Sequence, residues 1–79
     1  MAKRVYHVQA HWDHDAKVWW VESDDVPGLV AEDADYGALI ATVQELVPEL
    51  LRDNLGIEPS PDDAISIVSD REEPLRATA

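Results

Sequence analysis

Only one stretch of this sequence spaces its apolar residues as a helix does. Behind Asp35, the side chains of Leu39, Ile40, Val43, Leu46, Val47, Leu50 and Leu51 fall within a sector of ~140° when successive residues turn by ~100°. The spacing predicts one helix of about eighteen residues with a single apolar face, Leu39, Val43, Val47 and Leu50 pointing inward. Asp35 suits the N-cap, because its side-chain oxygen accepts an early helical N–H, and Gly56 is the expected C-terminal stop. Pro48 falls away from the apolar face and is expected on the solvent side. One helix covers one face of a sheet and no more.

The rest of the chain reads as strand and turn. From Arg4 to Trp12 the residues alternate, with Tyr6, Val8, Ala10 and Trp12 on one side and Val5, His7, Gln9 and His11 on the other. His14 to Lys17 reads as a hairpin turn, and Val18 to Ser23 is β-branched and aromatic, a second strand. Asp24-Asp25-Val26-Pro27-Gly28 is a turn, since proline presets φ and glycine permits a positive one. Leu29 to Ala34 is expected as a short third strand and Ala64 to Ser69 as the last. The predicted fold class is α+β: a two-layer sandwich of order β-β-β-α-β, an antiparallel meander with one helix on one face and a returning strand. One domain is expected over residues 1–73, with a frayed tail over 74–79.

Adjacent residues on a strand face opposite ways, so Trp19 and Trp20 cannot both lie under the helix. With Trp19 inward beside Val21, Trp20 stands on the open face with Val18, and Val5, His7 and Val68 are expected to share that face. Uncovered apolar area of this kind marks an interface. A homodimer is therefore expected, formed by the second sheet face or by the exposed sheet edge beside it.

Composition narrows the partners. The chain has 79 residues, room for one small domain. Six Lys+Arg against seventeen Asp+Glu give a net charge of −11, which disfavours direct contact with nucleic acid or anionic membranes and favours a basic protein. No cysteine is present, so disulfides, thiolate metal sites and cysteine nucleophiles are excluded. Met1 to His7 does not read as a signal peptide and no apolar run approaches a membrane span, so a cytoplasmic location is expected.

Signals for catalysis are sparse. His11, Asp13, Asp24 and Asp25 have metal-ligand side chains, and a metal-dependent hydrolase or nuclease would draw on them. The competing reading makes His11 to Asp15 a polar hairpin end and makes Asp24, Asp25, Pro27 and Gly28 a structural turn, its carboxylates accepting turn N–H groups. No serine lies in a glycine-framed elbow, and Gly28, Gly37 and Gly56 form no phosphate-cradling loop. No cofactor is expected.

The run Trp12-Asp13-His14-Asp15-Ala16-Lys17-Val18-Trp19, followed by Ser23-Asp24-Asp25-Val26-Pro27-Gly28-Leu29-Val30, resembles the HicB-like antitoxin superfamily, and within it a branch of short bacterial domains of unknown function. Val47-Pro48-Glu49-Leu50-Leu51 is similar to the Ile-Pro-Glu-Leu-Leu usual in that branch, and the likeness covers residues 4 to about 70. The resemblance implies a truncated RNase H-like domain without the nuclease's acidic triad. It also implies a small basic RNA-cleaving toxin, HicA, as partner. Two departures stand out. The helix begins Asp35-Tyr36-Gly37-Ala38 where the family commonly has Thr-Leu-Glu-Glu, losing the capping-box glutamate, and no room follows Ser69 for a DNA-binding segment. The expected function is a non-enzymatic, acidic, antitoxin-like binding module acting by protein–protein contact. The alternatives are the metal-dependent enzyme and an orphan regulatory domain without a toxin.

Overall fold

A computed structural model describes residues 3–76. The elements run β1 (Val5–Asp13), β2 (Val18–Glu22), β3 (Glu32–Asp33), α1 (Tyr36–Leu55) and β4 (Ala64–Asp70). The fold is α+β, one four-stranded sheet of order β3-β2-β1-β4 with one helix. β1 and β2 are antiparallel, with Trp12 opposite Trp19 and His11 opposite Trp20. β4 returns parallel to β1, Tyr6 beside Ile65 and Val8 beside Ile67.

The period of two along the strands puts Tyr6, Val8, Ala10, Trp19 and Val21 on the helix side, where all are buried. Leu39, Val43, Val47 and Leu51 of α1 close over them. Full burial of such side chains contributes ~1.5–3 kcal/mol each, and this face is the whole core. Asp35 caps α1 as expected, its Oδ1 accepting the N–H groups of Gly37 at 2.8 Å and Ala38 at 3.3 Å. Gly56, at φ 64°, ends it and donates to the Arg52 carbonyl at 3.2 Å.

Four expectations need correction. The fourth inward helical residue is Leu51; Leu50 is half-buried and reaches toward the turn at Gly28. The third strand is only Glu32–Asp33, because the chain leaves the sheet after Glu22 to drive Val26 and Leu29 into the core while Val30 stays exposed. Neither Asp24 nor Asp25 accepts a turn N–H as expected: Asp24 accepts no hydrogen bond among the described residues, Asp25 takes the His7 N–H of β1, and the N–H groups of the turn go to Ser23 and Val26. Pro48 is half-buried rather than on the solvent side. It lines a groove of about 520 Å³ between α1 and β4 with Ile40, Val47, Leu51, Ile65 and Ile67. The groove exists because α1 packs toward β2 and β3, leaving the helix side of β4 half covered. Tyr6 also lines it, its hydroxyl buried without a hydrogen-bond partner among the described residues.

Beyond β4, Arg71 lies over the Trp12 ring at 4.0 Å from its centroid, and Tyr36 meets Trp19 edge-on at 4.8 Å and hydrogen-bonds Ser69. These contacts hold the start of the C-terminal segment on the helix side. Residues 74–76 are exposed and outside any element; 77–79 of the expected tail, like residues 1–2 of the expected domain, lie outside the described residues.

Candidate functional site

The sheet face away from α1 carries Val5, His7, Val18, Trp20 and Val68, as their strand positions predict. They do not form one apolar patch. Trp20 sits opposite His11, and Val5 is six residues earlier on β1, ~20 Å along the strand. Trp20 has instead a polar and charged setting. Its ring, 38% exposed as a residue, lies tilted against His11 at 4.6 Å between centroids. Glu32 pairs with it across β3, and Glu22 lies two residues on, on the same face. His11 in turn bridges two strands, Nε2 lying 3.1 Å from Glu22 and Nδ1 3.4 Å from Asp70. Only the contact with Glu22 is a hydrogen bond; Asp70 lies at ion-pair distance from the other ring nitrogen.

The result is a row across the open face, Glu32, Trp20, His11 and Asp70 on neighbouring strands, with Glu22 two residues from Trp20 on β2. An arginine or lysine laid on the indole face gains from the ring quadrupole and pairs with the carboxylates beside it. Trp20 was named from strand periodicity; Glu22, on the same face by that alternation, was not singled out. Glu32 and Asp70 were not legible, because only the pairing register brings them there.

The turn after β2 is built from side chains. Ser23 Oγ donates to the His7 carbonyl at 2.5 Å and accepts the N–H groups of Asp25 and Val26, each at 3.2 Å. Asp25 Oδ2 accepts the His7 N–H at 2.8 Å. Asp24 only faces a hollow of about 170 Å³ beside His7 and Glu22. The Pro27 carbonyl accepts Asn54 Nδ2 at 2.9 Å, and Gly28 takes a φ of 85°. Asn54, near the end of α1, carries no sequence signal for this role.

The four residues of the metal-dependent alternative do not meet. Asp13 Oδ1 closes the hairpin by accepting the N–H groups of Asp15 at 2.9 Å and Ala16 at 3.1 Å, while Lys17 completes the loop at a positive φ of 59°. Asp25 is engaged at His7, six residues back along β1, ~20 Å away. Among the described residues no group of three His, Asp or Glu side chains could hold a metal ion. Asp63 anchors the start of β4: N–H groups of Ser60, at 2.9 Å, and Arg4, at 3.1 Å, hold its carboxyl below the usual carboxylate range.

A family model described as a domain of unknown function, DUF1902, matches residues 5–77. The chain is similar to the hypothetical protein TTHA1013 from the extremely thermophilic bacterium Thermus thermophilus. That crystal structure superimposes with a TM-score of 0.78 at 40% identity, covering 91% of this chain and 100% of that one. No curated protein matches. Among the described residues no helix is long and apolar enough to cross a membrane.

Proposed function

The chain belongs to the DUF1902 family of domains of unknown function, and we propose that it is a non-enzymatic binding module that captures a basic protein on its open sheet face. The observation that carries this is Trp20, exposed and tilted against His11 in a row with Glu32 and Asp70, with Glu22 beside it. The indole supplies contact area, the carboxylates supply charge, and the net charge of −11 steers a basic partner toward the chain. Buried Trp–cation contacts of this kind commonly dominate an interface.

In the antitoxin-like form of the reading the partner is a small basic RNA-cleaving toxin of the HicA type, neutralised by masking. The resemblance around Ser23 to Val30 supports that form, as does the absence of a gathered acidic site among the described residues. The function then needs neither a metal nor direct contact with nucleic acid, and it is carried out in the cytoplasm.

The test is affinity capture from the native cell with the wild-type chain and Trp20→Ala as paired baits, followed by co-expression with whatever small basic protein is retained. Retention by the wild type, loss with Trp20→Ala and relief of growth arrest on co-expression are expected. Retention unchanged by Trp20→Ala together with Glu32→Lys would remove the open face from consideration.

A further inference from the structure

We propose that a second copy of this chain pairs antiparallel with the free edge of β4, centred on Ile67, so that two sheets become one. β4 is hydrogen-bonded on one side only among the described residues. The Ala64 N–H donates to the Arg4 carbonyl at 2.9 Å, so the backbone of Ala64, Ser66 and Val68 faces β1. By alternation, Ile65, Ile67 and Ser69 aim their N–H and C=O groups away from the sheet. Edge strands ordinarily protect such a row with lysine, proline or a bulge. From Ala64 to Ser69 this edge has no charge and no proline.

The edge carries apolar side chains on both flanks, beside Ser66 and Asp70 on the open side and Ser69 on the helix side. On the helix side Ile65 and Ile67 are half covered and wall the groove beside α1; on the other side Val68 is 61% exposed. A small molecule in the groove would leave the backbone row unpaired. A second β4 pairs that row and sets a second groove beside the first, shielding Ile67 of both copies.

The register follows from the same strand. Ile67 is the midpoint of Ala64–Asp70, so pairing about it uses the full length of β4. Ile67 then meets Ile67 of the second copy, and Ile65 meets Ser69, all with outward backbone groups. Just past each strand end the backbone position of Asp63 in one copy lies opposite that of Arg71 in the other, although the Arg71 guanidinium itself lies back over Trp12 and pairs with Glu73. Centring on Ser66 instead opposes Asp62 to Asp70, and centring on Val68 opposes Asp63 to Glu73. Each of the three registers opposes one acidic pair, Asp62 with Glu72 in the one centred on Ile67, so the Ile67 register is preferred for using the full length of β4. A contact through the open face would gather the carboxylates of Glu22, Glu32 and Asp70 from both copies into one interface. Self-association therefore belongs to the edge, and it stands independently of the basic partner proposed for the open face.

Sedimentation of the full chain from micromolar to millimolar concentration tests this, with Ile67→Lys and Trp20→Ala as variants. A concentration-dependent dimer is expected, lost in Ile67→Lys and retained in Trp20→Ala. The sequence has no cysteine, which gives a second test. In the proposed register Ser66 and Val68 of the two copies form a non-hydrogen-bonded pair with Cα atoms ~4.5 Å apart, within disulfide reach. Mixed Ser66→Cys and Val68→Cys chains should cross-link under mild oxidation, and neither variant alone should. A wild type that remains monomeric at millimolar concentration overturns the proposal, as does a folded Ile67→Lys dimer. Cross-linking of Ser66→Cys with itself overturns the register. If Ile67→Lys does not fold, the cysteine pair decides.

Discussion

The Asp25 carboxylate accepts the backbone N–H of His7 at 2.8 Å, two residues beyond the last backbone pair of β1 and β2, Gln9 with Glu22. Ser23 takes the His7 carbonyl in the same place. Two side chains thus stand in for a strand that has already turned away. Asp25→Ala should cost about 1 kcal/mol, and Asp25→Asn less, since an acceptor remains. Asp24→Ala, which loses no hydrogen bond, should stay within ~0.5 kcal/mol. Urea unfolding of the three variants checks the order, and equal losses at both positions would refute the assignment.

Gly28 and Asn54 form a second coupled pair. A Cβ on Gly28 would lie 2.9 Å from Asn54 Nδ2, the group that donates to Pro27, and φ there is 85°. Gly28→Ala therefore meets left-handed backbone strain of ~1–2 kcal/mol and also pushes Asn54 off its bond. In an Asn54→Ala background only the strain remains. A double-mutant cycle should show Gly28→Ala costing less there, by up to the ~1 kcal/mol of one hydrogen bond. A strictly additive cycle would place the cost in the backbone alone.

These pairs mark what the sequence could and could not disclose. Strand alternation put Trp19 and Trp20 on opposite faces without deciding which lies inward, and helical spacing placed Leu39, Val43 and Val47, because side-chain direction follows directly from backbone period. Asp35 and Gly56 were legible as caps because capping acts within a few residues. The helix's lean away from β4 was not legible, so Pro48 was misplaced: a helical wheel fixes the angle about an axis but not where the axis lies on the sheet. The open-face row needed the register of four strands to bring Glu32 and Asp70 beside Trp20 and His11. Asp24 and Asp25 look alike in sequence, and only the three-dimensional approach of His7 separates them.

The helix face itself admits a sharp contrast. Val47 is 2% exposed, so Val47→Asp buries a carboxylate with no partner and should cost about 3–5 kcal/mol. Glu45, two residues earlier, is exposed, and Glu45→Lys should change stability by less than ~0.5 kcal/mol. Thermal unfolding of both variants is sufficient, and comparable losses would mean that α1 is rotated on the sheet.

The last prediction concerns acid. The N–H groups of Ser60 and Arg4 favour the charged form of Asp63, so its folded-state pKa lies below the ordinary value. A lowered folded value means that the unfolded chain binds the proton more readily. The stabilisation is therefore complete above the ordinary aspartate range, about pH 4, and is lost as pH falls through the lower folded value. Asp63→Asn keeps an acceptor but cannot titrate. The stability difference between wild type and Asp63→Asn should hold steady from about pH 8 to pH 5 and shrink below about pH 4, the other carboxylates being common to both chains. Because Asp63 ties the start of β4 to Arg4, amide exchange should show the loosening first at Ala64, whose N–H donates to the Arg4 carbonyl. A difference that stays constant down to about pH 2.5 would show that Asp63 contributes no charge-dependent stability.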